Sequence, residues 1–216
     1  MTYRVIRSGE SFSFPQDHQF LSSAQEDGRG VVLIGQGAGT AYAKHASELT
    51  GSEFVLVELG HECLGVHIGD DDGPANVLGF ARFRLGQGDP TTLVELVRKP
   101  WTSAHSLEAA KLALSQAGLV VAVCNDFPGR ILNRLIRPYY NAALRRLDEG
   151  LATATDMDAT LRMGLGYPEG PIELLNRTGL EYHFEVSQAL YEQLGQEPYA
   201  PARRARTAWL RAQNKE

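Results

Sequence analysis

Three groups of residues in this chain have types and spacings that chemistry can use. The first is Asn125-Asp126-Phe127-Pro128-Gly129-Arg130-Ile131-Leu132-Asn133, a strand exit that turns sharply into a helix with an amide near its start. Pro128-Gly129 lets the chain reverse, and a helix can begin directly after it. Asn133, early in that helix, offers a neutral donor and acceptor that would orient a substrate carbonyl rather than take a proton. The plainer alternative is that it bonds locally and holds the turn. The second group is Gly35-Gln36-Gly37-Ala38-Gly39-Thr40, between an apolar run and a helical segment. Gly35, Gly37 and Gly39 resemble a phosphate-cradling loop, with Glu58 at the end of the next apolar run as a ribose acceptor. The spacing departs from G-x-G-x-x-G, because position 40 is Thr. The third group is His61, Cys63 and His67, with Glu62 and Asp70 to Asp72 nearby. Their spacing matches no tetrahedral metal site, and we assign no metal.

These residues need elements to hold them. Val31-Val32-Leu33-Ile34 and Phe54-Val55-Leu56-Val57 are continuous apolar runs, the pattern of strands buried on both faces. Arg4 to Arg7, Val77 to Ala81 and Val120 to Val123 read as further strands. Thr40 to Leu49 and Leu107 to Ala117 read as helices, the latter capped by Thr102-Ser103. Strands alternating with helices predict an α/β layer with a largely parallel sheet. After Gly129 the character changes. Ile131, Leu132, Leu135, Ile136, Tyr139, Tyr140, Ala143, Leu144 and Leu147 recur at helical spacing, with Gly150 as the stop. Thr155-Asp156-Met157-Asp158 predicts the next helix start by its capping-box-like spacing. Leu180 to Leu194 and Arg203 to Gln213 predict two more helices. The fold class expected is α/β plus all-α, with residues 1–125 as a shortened Rossmann-like domain and residues 126–216 as a helical domain.

Composition bounds the function. The chain has 216 residues, 43% of them hydrophobic and 22% charged, ordinary for a globular protein. A net charge of -5 argues against general nucleic-acid binding. No apolar run reaches membrane-spanning length, and the first residues hold no signal-peptide core. Cys63 and Cys124 lie far apart in apolar settings and read as reduced thiols, so a cytoplasmic protein is expected.

The helical half resembles the C-terminal domain of the 3-hydroxyacyl-CoA dehydrogenase family. The residues that carry the resemblance are Asp126-Phe127-Pro128-Gly129 with Asn133-Arg134-Leu135, then Pro138, Asn141-Ala142 and Glu149-Gly150. They continue through Asp156-Met157-Asp158 and Met163-Gly164-Leu165-Gly166-Tyr167-Pro168-Glu169-Gly170-Pro171 to Leu174-Leu175 and Gly179-Leu180. The likeness runs from about Leu93 to Tyr182. It implies an NAD-dependent oxidoreductase of fatty-acid or aromatic-acid breakdown, an acyl-CoA ligand, and a homodimer formed through the helical domain. It also implies that Asn133 contacts substrate and that Glu95 holds a catalytic histidine.

That histidine is missing from its expected place. The matching stretch reads Leu78-Gly79-Phe80-Ala81-Arg82-Phe83, with Ala81 at the histidine position, and alanine cannot shuttle a proton. The family serine maps near Glu58-Leu59-Gly60, where there is no hydroxyl. His67 comes within reach only if the register shifts. Six strand-and-helix units need about 130–150 residues, so residues 31–83 also fit the later strands of a Rossmann sheet whose first βαβ unit is lost. In the helical half, Arg130 stands where the family carries Phe, and Asn176 and Glu181 where it carries Asp. Arg203-Arg204-Ala205-Arg206, with Arg211, reads as a solvated helix face or as a site for an acidic partner or CoA phosphates. The rival to a dehydrogenase is a non-catalytic relative acting as a dimerising binding or assembly partner.

Overall fold

A computed structural model describes residues 2–214. The chain divides into two compact units, Met1–Phe83 with Pro90–Arg130, and Arg84–Asp89 with Ile131–Glu216. The first unit therefore runs through Arg130 rather than ending at residue 125, and the short segment Arg84–Asp89 belongs with the helices.

The first unit is built on a six-stranded sheet: β1 (Tyr3–Arg7), β2 (Gly30–Ile34), β3 (Val55–Glu58), β4 (Val77–Arg82), β5 (Leu93–Arg98) and β6 (Val120–Asn125). Its strands lie in the order β1-β2-β3-β4-β5-β6. β1 to β4 are parallel, β5 is antiparallel to β4, and β6 is parallel to β5. The continuous apolar runs arise because both faces are covered. Val32, Ile34, Leu56, Leu78, Phe80, Val94 and Leu96 pack on one side with Phe14, Phe20 and the alanines of α4 (Ala104–Gln116). Val31, Leu33, Val55, Val57, Val77 and Val97 pack on the other with Ala38 and Tyr42 of α2 (Ala38–His45). Two one-turn helices, α1 (Gln19–Ser22) and α3 (Gly65–Ile68), complete the unit. Ser103 caps α4, its hydroxyl accepting from Ser106 N–H at 3.0 Å.

The second unit holds α5 (Leu132–Asp148), α6 (Ala154–Leu165), α7 (Pro171–Thr178), α8 (Leu180–Leu194) and α9 (Arg203–Gln213). Pro138 inside α5 cannot donate to the Arg134 carbonyl one turn back, and the Tyr199 hydroxyl donates to that oxygen instead, at 3.2 Å. The start of α6 lies slightly ahead of the expected one. Thr153 is the cap: its hydroxyl accepts from Asp156 N–H and donates to the Asp156 carboxylate at 2.7 Å. Asp158 has a different task, accepting from the N–H groups of Ile172 and Glu173 at the start of α7, both at 2.9 Å. Tyr140, Ala143, Leu144, Ile172, Leu175 and Phe184 form this unit's core, with Trp209 of α9 stacked on Phe184.

Candidate functional site

The register of β4 on β5 pairs Ala81 with Glu95. Cross-strand partners leave the sheet on the same face, so the side chain directly beside the Glu95 carboxylate is a methyl group. Glu95 is 1% exposed. Its carboxylate meets Arg130, whose Nε lies 3.3 Å away and whose Nη1 donates to the Gly60 carbonyl at 3.1 Å. Arg130 has φ 52°, the left-handed region that a side chain enters at a cost, and it is the one such non-glycine residue among the described residues. The ion pair and the Gly60 bond hold it there. Glu95 is thus paired with a guanidinium, a group that only donates. Where a histidine is expected, Glu95 has the Ala81 methyl group across the strands and the Arg130 guanidinium as its charged partner.

The first three residues of the glycine loop are engaged with their own chain. Gly35 N–H donates to the Glu58 carboxylate at 2.6 Å, Gln36 N–H to the Glu10 carbonyl at 3.0 Å, and Gly37 N–H to the Ser8 carbonyl at 2.9 Å. Glu58 is buried and also accepts from the Ser11 hydroxyl at 2.8 Å and from Ser13 N–H at 2.5 Å. At Gly35, with φ +101°, an added Cβ would fall 2.4 Å from the Ser8 carbonyl oxygen, and at Gly39 it would fall 2.1 Å from the nearest atom of the His67 ring. These glycines allow close packing against Ser8 and His67. The strands run in sequence order with no reversal, so the sheet has no switch point at which a dinucleotide crevice opens. The residues present do not fit NAD at Gly35, Gly37, Gly39 and Glu58, because Glu58 and the N–H groups of Gly35, Gln36 and Gly37 are bonded within the chain and the His67 ring packs against Gly39.

His67 lies on α3 with Nε2 3.3 Å from Glu62, away from any role with Glu95. Lys99 bridges two carboxylates, Asp70 at 2.8 Å and Asp126 at 3.0 Å, and Asp126 also accepts from the N–H groups of Leu64 and Gly65. Cys63 and Cys124 are unbridged, and burial pushes both thiols up to about 11. Among the described residues no three of His, Cys, Asp and Glu converge as metal ligands, and no helix is long and apolar enough to cross a membrane.

In the helical unit Asn133 stands in the first turn of α5, 7% exposed, its Oδ1 accepting from Arg137 Nε at 2.9 Å. Arg137 Nη1 lies 3.0 Å from His183 Nδ1, and His183 Nε2 lies 2.9 Å from Asn141 Oδ1. Burial, then the Arg137 charge, push His183 down to about 3, so its ring is neutral. The sequence reading missed this network. Its signal was the spacing of Asn133, Arg137 and Asn141, four residues apart on one helix face; the partner on α8 left none. Arg203 and Arg204 both reach Asp148. With Arg211 they rim a cavity of about 340 Å³ floored by Leu144, Leu147, Ile172 and Leu180.

Comparison with known proteins agrees with this architecture. Residues 129–215 match the C-terminal domain of 3-hydroxyacyl-CoA dehydrogenase. A 3-hydroxybutyryl-CoA dehydrogenase of Bradyrhizobium diazoefficiens is 38% identical over 109 residues, 50% of this chain and 37% of that protein. The mitochondrial hydroxyacyl-coenzyme A dehydrogenase of Sus scrofa is 38% identical over 106 residues, 49% of this chain and 34% of that protein. The match thus spans little more than a third of the length of these curated relatives. The crystal structure of (S)-3-hydroxybutyryl-CoA dehydrogenase PaaH1 from Ralstonia eutropha superposes with a TM-score of 0.71 at 22% identity, covering 86% of this chain and 66% of that one, a likeness of fold. Through residues 129–215, the chain is thus similar to the C-terminal domain of the 3-hydroxyacyl-CoA dehydrogenase family.

Proposed function

We propose that this chain is a non-catalytic member of its family, one that takes an acyl-CoA or a related ligand through its helical unit, self-associates there, and passes no hydride. The observation that carries this reading is the pairing of Ala81 with Glu95 and the capture of Glu95 by Arg130. Oxidation of a 3-hydroxyl group needs a base for the hydroxyl proton and an acceptor for the hydride. The base position holds a methyl group, and in the loop considered for the acceptor the N–H groups of Gly35, Gln36 and Gly37 are already bonded.

The helical unit favours the remaining roles. Asn133 keeps an amide at the start of α5 for the acyl group, and the cavity at α9 joins an apolar floor to an arginine rim, which suits the phosphates of CoA. Met163, 88% exposed, lies with the exposed Leu165 and Tyr167 at the end of α6, an apolar patch suited to a second copy of the chain. The unbridged thiols suit a reducing cytoplasm.

Calorimetric titration of the purified chain tests the reading. Heat with acetoacetyl-CoA, none with NAD, and a dimer by light scattering that Met163→Glu splits are expected. Saturable NAD binding, or a monomer that takes no acyl-CoA, would overturn it.

A further inference from the structure

Arg137 is 3% exposed, and among the described residues no carboxylate pairs with it. Buried charges ordinarily have a counter-charge, since desolvating one without it is costly. Here the partners are an amide oxygen and a neutral imidazole nitrogen. A guanidinium only donates, so these contacts dictate the state of both partners. Asn133 must turn Oδ1 toward the arginine, which leaves its Nδ2 donor as the end free to face a ligand. His183 must keep Nδ1 unprotonated and carry its proton on Nε2, toward Asn141. Asn141 Nδ2 in turn donates to the carbonyls of Pro198 and Tyr199, so this run of bonds ends on backbone oxygen and adds no negative charge. Tyr140, the other ionisable group near Arg137, is held in its neutral form by burial. The outcome is a donor amide with an uncancelled positive charge one helical turn behind it. It also stands in the first turn of a 17-residue helix, where the field of the backbone is positive.

We propose that Asn133 and Arg137 form an oxyanion-selective subsite, in which Asn133 Nδ2 donates to a carboxylate on the acyl chain of a bound thioester and Arg137 supplies the counter-charge from behind. Arg137 acts as a positioning residue: it fixes the amide orientation and sets the preference for an anion over a neutral ketone. The inference rests on the acyl-CoA reading above and narrows its ligand to acyl groups that carry an acid.

Malonyl-CoA and acetoacetyl-CoA test it, since they differ chiefly in a carboxylate against a methyl ketone at the same place on the chain. Calorimetry on the full chain is expected to give malonyl-CoA an advantage of about tenfold or more, the margin of a charge-assisted hydrogen bond over a neutral one. Arg137→Met should bring the two ligands level. Asn133→Asp gives Arg137 a carboxylate of its own; that variant should melt no lower than the wild type and lose malonyl-CoA binding. If Arg137→Met does not fold, Asn133→Asp decides the matter alone. Equal binding of the two ligands by the wild type, a preference that survives Arg137→Met, or wild-type malonyl-CoA affinity in Asn133→Asp would each overturn the subsite. Acetoacetyl-CoA binding without a malonyl preference removes this inference and leaves the acyl-CoA reading standing. No heat from either ligand removes both.

Discussion

Lowering the pH from 7.5 to 5.0 should weaken the helical unit through one side chain, His183. Its ring is buried, and Nδ1 already accepts from Arg137, so a proton added there would face a guanidinium in a dry interior. Burial and the Arg137 charge push its pKa down to about 3, whereas the unfolded chain takes the proton near 6.5. Because the folded value is depressed, the unfolded state binds more protons throughout the window between the two. Stability from the neutral ring is therefore intact above pH 6.5 and is lost steadily as the pH falls toward 3. Between pH 7.5 and 5.0 the loss is about 2 kcal/mol, a figure set by the unfolded value as long as the folded one lies well below 5. Urea unfolding followed by Trp209 fluorescence would read it, with Trp101→Phe silencing the α/β unit. The control is His183→Gln, which keeps an acceptor for Arg137 and a donor for Asn141 but does not titrate. The gap in stability between the protein with His183 intact and the His183→Gln variant should close by about 2 kcal/mol over that range. His18, also lowered by burial and Arg82, is common to both and cancels, as do the carboxylates. A gap that does not change with pH would refute the assignment of a neutral, arginine-bonded ring.

Two further substitutions probe how the site is held. Arg130→Ala leaves the buried Glu95 carboxylate without its cation and should cost about 3–5 kcal/mol in urea unfolding; a loss below about 1 kcal/mol would mean that the pair is not what neutralises Glu95. Gly170→Ala places a methyl group 2.2 Å from the Asp158 side chain, which caps α7. The displaced cap should cost at least about 1 kcal/mol, and thermal melts of that variant and of Asp158→Ala should show similar losses.

Much of the framework was legible because burial on both faces leaves a direct mark on sequence. The runs Val31 to Ile34 and Phe54 to Val57 became β2 and β3, and the helical periods near the end became α8 and α9 within the expected limits. Strand order and the reversed direction of β5 left no local mark, since both depend on which strands pair across the sheet. The one-turn helices α1 and α3 are too short for a 3.6-residue period to show. At the site, Ala81 in the strand ahead of Glu95 followed from the family likeness, and its pairing with Glu95 came from the sheet register. Arg130 as the new partner of Glu95 did not follow from the likeness, because it arrives from 35 residues away through a left-handed backbone turn. The internal bonding of the glycine loop was not legible for a physical reason: the N–H groups of Gly35, Gln36 and Gly37 are taken by Glu58, Glu10 and Ser8, and serine-rich segments such as residues 8–13 carry no signature of where their carbonyls point.

The most direct test of the central claim is acetoacetyl-CoA-dependent oxidation of NADH by the purified chain, followed by absorbance beside an enzyme-free blank. The Ala81 methyl group beside Glu95 and the internal bonds of Gly35, Gln36 and Gly37 lead the proposed non-catalytic reading to predict a rate equal to the blank. Turnover above the blank that disappears in Asn133→Ala would contradict the account, since it would require both a proton acceptor and a cofactor seat that Ala81, Arg130 and the bonded loop do not provide.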